Sequence, residues 1–258
     1  MPRRLLVGSV VVLAAALIAC GGGKDGPDGS LTPGASATKP SAEASPTAPP
    51  GGPVADEAVA FGTSDGVTVR GHLYSVPGPK QRIVIFAHDF PRDQIAWQDF
   101  ARELATSGIA TLTFDFRGYG ETGGEKDASK VDLDLEAAAS FMESRDYPLI
   151  YVVGASFGGT AALKVAARRD FAGVVAVSAP AEFRGLDARQ DVAGVAEPKL
   201  FIASRGDGDA PDAIAFFLSS APEPKESRLF DGAAHGTELL QGGAAAAFKQ
   251  ALVDFVSR

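Results

Sequence analysis

The sequence predicts an α/β protein with a mostly parallel central β-sheet covered by helices on both faces. Near-continuous apolar runs recur at residues 83–87, 111–114, 149–153, 173–177 and 200–203, as strands buried on both faces require. Between and after them, residues 93–107, 132–145, 160–169, 210–219 and 244–256 carry apolar side chains at three- and four-residue spacing, the mark of a helix with one buried stripe. Strands that alternate with helices return to the same sheet by crossovers, which makes the strands parallel and puts helices on both faces.

The chain has 258 residues, 45% hydrophobic and 22% charged, enough for one sizeable core. A formal net charge of −8 offers no basic stripe to neutralise phosphates and argues against a nucleic-acid partner. The one cysteine, Cys20, excludes an internal disulfide framework, a cysteine metal cluster and a cysteine nucleophile within the folded part.

The chain begins with Arg3 and Arg4, an apolar run from Leu5 to Ala19, and small residues at its end. That is the layout of an export signal, and the run falls short of the roughly 20 residues a spanning helix needs. Leu17-Ile18-Ala19-Cys20 resembles the lipobox of bacterial lipoprotein precursors. The resemblance implies removal of residues 1–19, acyl chains on Cys20, and an exported protein held on the extracytoplasmic side of a membrane. Residues 20–56 are rich in Gly, Pro, Ser, Ala and Thr, with no aromatic residue. They read as a spacer that cannot bury enough apolar surface to fold, spanning on the order of 30 Å. Residues 57–258 form the expected folded domain.

Within it, residues 67–74 alternate apolar and polar positions and read as a half-exposed edge strand. The run 149–153 ends at Gly154-Ala155-Ser156-Phe157-Gly158, directly before a small-residue helix. Strand, sharp turn and helix meet at Ser156, and glycine two residues to either side lets such a turn close where a side chain would strike its neighbours. Trp97 and Met142 fall at helix-core positions. Asp115 to Gly123 reads as a tight structural turn at the end of a strand.

Three stretches together, Phe86-Ala87-His88-Asp89-Phe90, Asp115-Phe116-Arg117-Gly118-Tyr119-Gly120-Glu121-Thr122-Gly123 and the G-x-S-x-G turn, resemble the small α/β-hydrolases related to bacterial carboxylesterases and dienelactone hydrolases. The resemblance implies that Ser156 sits on a nucleophile elbow at the carboxyl ends of the strands. A serine hydroxyl needs a base, and the chain has three histidines. His72 falls on the expected edge strand. His88 stands where the family carries a structural histidine. His235 lies in a loop after the Arg228-Leu229-Phe230 run, in the family's order Ser…Asp…His, and is the expected base. The strand beginning at Pro198 leads to Asp207 as the acid that orients His235; Asp209 is the alternative, Asp187 a distant third. The backbone amides of Phe157 and Phe90 are the expected oxyanion donors.

One departure stands out. Where the family reads His-Gly, this chain has His88-Asp89. Aspartate tolerates a left-handed backbone better than most residues, but a carboxylate beside a forming oxyanion opposes it. Asp89 must therefore point away or be paired, with Arg92 the near candidate. The gap 181–197 is too short for a large lid, so the expected site is open and suited to small or accessible substrates. The whole reading is a membrane-tethered serine hydrolase acting on an ester or related acyl bond of a small molecule, without a cofactor. The same serine chemistry serves peptidases and thioesterases, and a binding module that keeps the fold without turnover is the alternative of a different class.

Overall fold

The computed structural model describes residues 52–258; the expected export signal, Cys20 and nearly all of the expected spacer lie outside the described residues. Ten strands and five α-helices follow in order: β1 (Ala55–Gly62), β2 (Thr68–Ser75), β3 (Arg82–Ala87), α1 (Ile95–Thr106), β4 (Ala110–Phe114), α2 (Val131–Ser144), β5 (Leu149–Ala155), α3 (Phe157–Ala166), β6 (Gly173–Val177), β7 (Glu182–Phe183), β8 (Leu186–Asp187), β9 (Lys199–Ser204), α4 (Ala210–Ser220), β10 (Lys225–Phe230) and α5 (Ala245–Val256). Eight of the strands form one sheet in the order β1-β2-β4-β3-β5-β6-β9-β10. From β4 to β10 every neighbouring pair is parallel; β2 runs antiparallel to both β1 and β4.

Alternation along the central strands feeds two cores. Ile83, Ile85, Ile150, Val152, Val174 and Phe201 face α2, α3 and α4, where Leu135, Leu163, Ile214 and Phe217 meet them. Val84, Phe86, Val153, Val175, Leu200 and Ile202 face Trp97, Phe100 and Leu104 of α1 and Phe248, Leu252 and Phe255 of α5. Trp97 and Met142 are both fully buried in these layers.

Two expectations are corrected. Residues 67–74 do not form an edge strand: β1 pairs with β2 along its whole length, from Ala55↔Ser75 to Gly62↔Thr68. The alternation of β2 reflects a thinly covered face rather than an edge. β1 is hard to read because Asp56 and Glu57 are poor strand formers and only Val59 and Phe61 of it are buried. The opposite edge is β10, whose Lys225, Glu226 and Arg228 discourage pairing with another chain. Helix α3 starts at Phe157, three residues ahead of the expected start, because it grows directly out of the Ser156 turn. The short 181–197 gap holds the β7–β8 hairpin and one 3-10 turn (Asp191–Gly194), and no lid domain.

The sheet order reverses between β3 and β5, since β4 lies on one side of β3 and β5 on the other. Diverging connections at such a point leave a crevice beyond the carboxyl ends of the strands. Phe86, 1% exposed, is wedged against the rings of Trp97 at 4.9 Å and Phe100 at 5.8 Å. Phe86→Ala is expected to cost about 3–5 kcal/mol, seen as a lower urea midpoint with an unchanged m-value.

Candidate active site

The end of β5 turns into α3 through Ser156 at φ 50, ψ −125, a region that costs an L-residue of order 1–3 kcal/mol. Two close approaches hold it there. A Cβ on Gly154 would lie 2.2 Å from the Gly158 carbonyl oxygen, and one on Gly158 would lie 2.5 Å from the His88 carbonyl oxygen. Both glycines are thus required by backbone contact. The Ser156 amide donates to the Val177 carbonyl on β6 at 2.8 Å, which pins the turn to the sheet.

His235 and Asp207 come to this serine from far along the chain. His235 Nε2 lies 2.9 Å from Ser156 Oγ, and His235 Nδ1 lies 2.8 Å from Asp207 Oδ1. With Nδ1–H donating to the carboxylate, Nε2 is left as the acceptor of the serine O–H. Asp207 is held in the turn after β9 by its amide bond to Ser204 O and by the Ala210 amide donating to its own carbonyl. A hydroxyl, an imidazole and a carboxylate in this sequence can pass the serine proton to the ring while the carboxylate stabilises the imidazolium.

The other candidates are placed elsewhere. Asp209 sits at the start of α4 and lines the same pocket, without a bond to His235. Asp187 grips Arg189, which holds its carboxyl down at about 2. His72 bonds Asp56 through Nδ1 at 2.6 Å. His88 is fully buried: Phe116 N–H donates to its Nε2, and its Nδ1 lies 3.1 Å from the Asp89 carbonyl, so the ring is the neutral Nδ1–H tautomer. Burial pushes its pKa below the usual value. The turn 115–123 is structural, as expected. Asp115 binds Gln94 and the Glu121 amide, while Arg117 is clamped between Asp134 and Asp65.

Phe157 opens α3, so its amide has no carbonyl within the helix to bond. Its ring is fully buried among His88, Phe116, Tyr119 and Phe183. Phe90 follows β3 and presents its ring to the pocket, packed on Phe183 at 5.6 Å beneath the Arg184 guanidinium. Asp89 is not left-handed, so this turn makes no demand that only glycine meets. Its carboxylate is buried and accepts from Thr237 Oγ1 at 2.9 Å, with Arg92 Nε at 3.6 Å. Thr237 hydrogen-bonds the carboxylate, and its charge is paired with Arg92, the expected partner.

The pocket over Ser156 has a volume of about 670 Å³. Its apolar wall is Phe90, Pro180, Ala181, Phe183, Ala210 and Ala213, and its polar floor holds Ser156, Ser178, Asp207 and His235. Ser178 was missed by sequence reading, yet it follows the carboxyl end of β6, where site residues of such sheets gather. Its Oγ accepts the Gly236 amide at 3.0 Å. Among the described residues no cluster of three or more His, Cys, Asp or Glu could hold a metal ion.

Fold and site geometry together define a class, and the chain belongs to the alpha/beta hydrolase family, whose model matches residues 84–256. Solved structures of the same fold include a dienelactone hydrolase from Anabaena variabilis, with TM-score 0.68 and 21% identity over 79% of this chain and 97% of that one. An esterase from Pyrococcus furiosus has TM-score 0.67 and 20% identity over 80% and 93%. A serine hydrolase from Xanthomonas campestris, described as without lid, has TM-score 0.62 and 21% identity over 79% and 94%. The polyketide transferase claH of Penicillium crustosum is 34% identical over 122 residues, 43% of this chain and 40% of that protein, so the match spans well under half of that relative.

The neutral His88 makes a test of the core beneath the site. The unfolded chain protonates a histidine near its ordinary value of 6.5, before the buried His88 does. His88 therefore contributes stability that is fully present above that value and is lost as pH falls below it, at up to about 1.4 kcal/mol per pH unit. Urea unfolding between about pH 7 and pH 5 is expected to show a shallower loss of stability in His88→Gln than in the parent.

Proposed function

We propose that the protein is a serine hydrolase that cleaves an ester or related acyl bond of a small molecule. The observation that carries this is the hydrogen-bonded row Ser156 Oγ, His235 Nε2, Asp207 Oδ1 at the strained turn ending β5.

As the serine attacks the carbonyl carbon, its proton moves to His235 Nε2, and Asp207 stabilises the imidazolium. The negative charge that develops on the carbonyl oxygen is met by the amides of Phe157 and Phe90. His235 then returns the proton to the leaving group, which departs and leaves an acyl group on Ser156. Water activated by the same imidazole releases the acid. Side chains, backbone and the attacking water supply every proton and charge in this sequence, so the chemistry calls for no cofactor.

The apolar wall formed by Phe90, Phe183 and Pro180 suits the acyl part of the substrate. Among the described residues the 181–197 segment contributes only the β7–β8 hairpin and one 3-10 turn near the mouth, which favours short acyl chains. We further propose that the protein works on a membrane surface, exported and anchored through acyl chains on Cys20. This rests on the Leu17-Ile18-Ala19-Cys20 sequence.

A fluorophosphonate probe is expected to label the purified protein, and Ser156→Ala and His235→Ala to abolish labelling. On p-nitrophenyl acetate those variants, and Asp207→Asn, are expected to lose about 10⁴-fold or more in kcat, while Asp209→Asn stays within about threefold. A folded protein that neither labels nor turns over any ester, or a stronger preference for long-chain than short-chain esters, contradicts the reading. Metabolic labelling with a palmitate analogue is expected to mark the chain in a bacterial host and to be lost in Cys20→Ala.

A further inference from the structure

Asp89 lies in the turn after β3, and its surroundings give it work. Its carboxylate is 1% exposed, and each oxygen accepts from Thr237 Oγ1, at 2.9 and 3.0 Å; the Thr237 amide also reaches Oδ2 at 3.3 Å. Between Thr237 and His235 is Gly236 at φ +55, where a Cβ would lie 2.7 Å from Asp89 Oδ2. The segment therefore rests directly on this carboxylate. A second arm runs parallel: Arg92 donates to Glu238 Oε1 at 2.8 Å, and Glu238 Oε2 accepts the His235 amide at 3.1 Å. Ser178 Oγ takes the Gly236 amide from the third side.

The rest of the loop is tied to the end of β9: Ser204 Oγ donates to the Ala234 carbonyl at 2.8 Å and the Gly206 amide to the Gly232 carbonyl at 2.8 Å, while the Gly236–Thr237 side rests on Asp89 and Ser178. The His235 side chain is 41% exposed, and residues 231–235 form no regular element. The Asp89–Thr237 contact thus joins the two halves of the site, the turn after β3 that carries Phe90 and the loop that carries His235.

We infer that Asp89, through Thr237, is a positioning residue that sets His235 Nε2 against Ser156 Oγ. The inference rests on the hydrolase reading for its kinetic consequences and on geometry alone for its structural one. A residue that merely intrudes on the oxyanion site and one that clamps the base loop behave oppositely when removed. Taking away an opposing charge raises kcat; releasing the clamp lowers it.

The test compares the full chain with Asp89→Gly, Thr237→Val, Thr237→Ser and the Asp89→Gly/Thr237→Val double variant. Asp89→Gly and Thr237→Val are expected to lower kcat on p-nitrophenyl acetate by about 10- to 100-fold, with KM within about twofold. Thr237→Ser, which keeps the hydroxyl, is expected to restore kcat to within about threefold. The double variant is expected to be no slower than the slower single, because one contact is lost once. In a crystal structure of Thr237→Val, His235 Nε2 is expected to lie beyond hydrogen-bond reach of Ser156 Oγ. Unchanged or raised kcat in folded Asp89→Gly and Thr237→Val, or an unmoved His235 in that crystal structure, overturns the inference. If the parent itself neither labels nor turns over, the hydrolase reading fails and the position of His235 in the crystal structure decides this inference alone. If the single variants fail to fold, an unimpaired Thr237→Ser supports the hydroxyl contact, and a Thr237→Ser impaired as severely as a buried deletion overturns it.

Discussion

Everything at the site depends on one backbone constraint, the closure of the chain at Ser156. The turn is stable only because three backbone segments touch without intervening side chains: Gly154 against Gly158, and Gly158 against the carbonyls of Ala87 and His88. This contact sets the start of α3 against the end of β3. It places the Phe157 amide, unpaired within its helix, beside the serine it follows. The unfavourable dihedrals of Ser156 are sustained by a fully buried sheet on one side and a small-residue helix on the other. A strained residue that persists inside such over-determined surroundings is a sign of function.

The turn alone makes no nucleophile, and its partners are held by weaker means. Asp207 is fixed by the end of β9 and the start of α4. His235 depends on side-chain bonds from Asp89, Ser178, Arg92 and Glu238 acting on its neighbours. The rigid half of the site is encoded by glycines and apolar strands, and the adjustable half by polar contacts between distant segments. His88 braces the rigid half, with its carbonyl against Gly158 and its ring, kept neutral by burial, accepting from the Phe116 amide.

The rigid half was legible in the sequence for physical reasons. Continuous apolar runs can be buried only as two-faced strands, and Gly-x-Ser-x-Gly between a strand and a small-residue helix leaves few other conformations. Asp207 and His235 were named from the resemblance to the family's strand-and-turn and chain order, and the structure places both within hydrogen-bond reach in one row with Ser156. What escaped was non-local. The pairing of β1 with β2 overrides the poor strand propensity of Asp56 and Glu57. Arg92 was legible as the ionic partner of Asp89 because it lies three residues on, whereas the Thr237 hydroxyl that also bonds the carboxylate lies 148 residues away, beyond any local pattern. Ser178 takes its role from the Gly236 amide, which only the folded chain brings near.

The central claim is that Ser156, His235 and the two amides act on one carbonyl. A crystal structure of the protein after reaction with a small alkyl fluorophosphonate tests it most directly. The account predicts phosphorus bonded to Ser156 Oγ, its phosphonyl oxygen within hydrogen-bond distance of the Phe157 and Phe90 amides, and His235 Nε2 beside the adduct. An adduct on another residue, or a phosphonyl oxygen turned to solvent away from both amides, contradicts it.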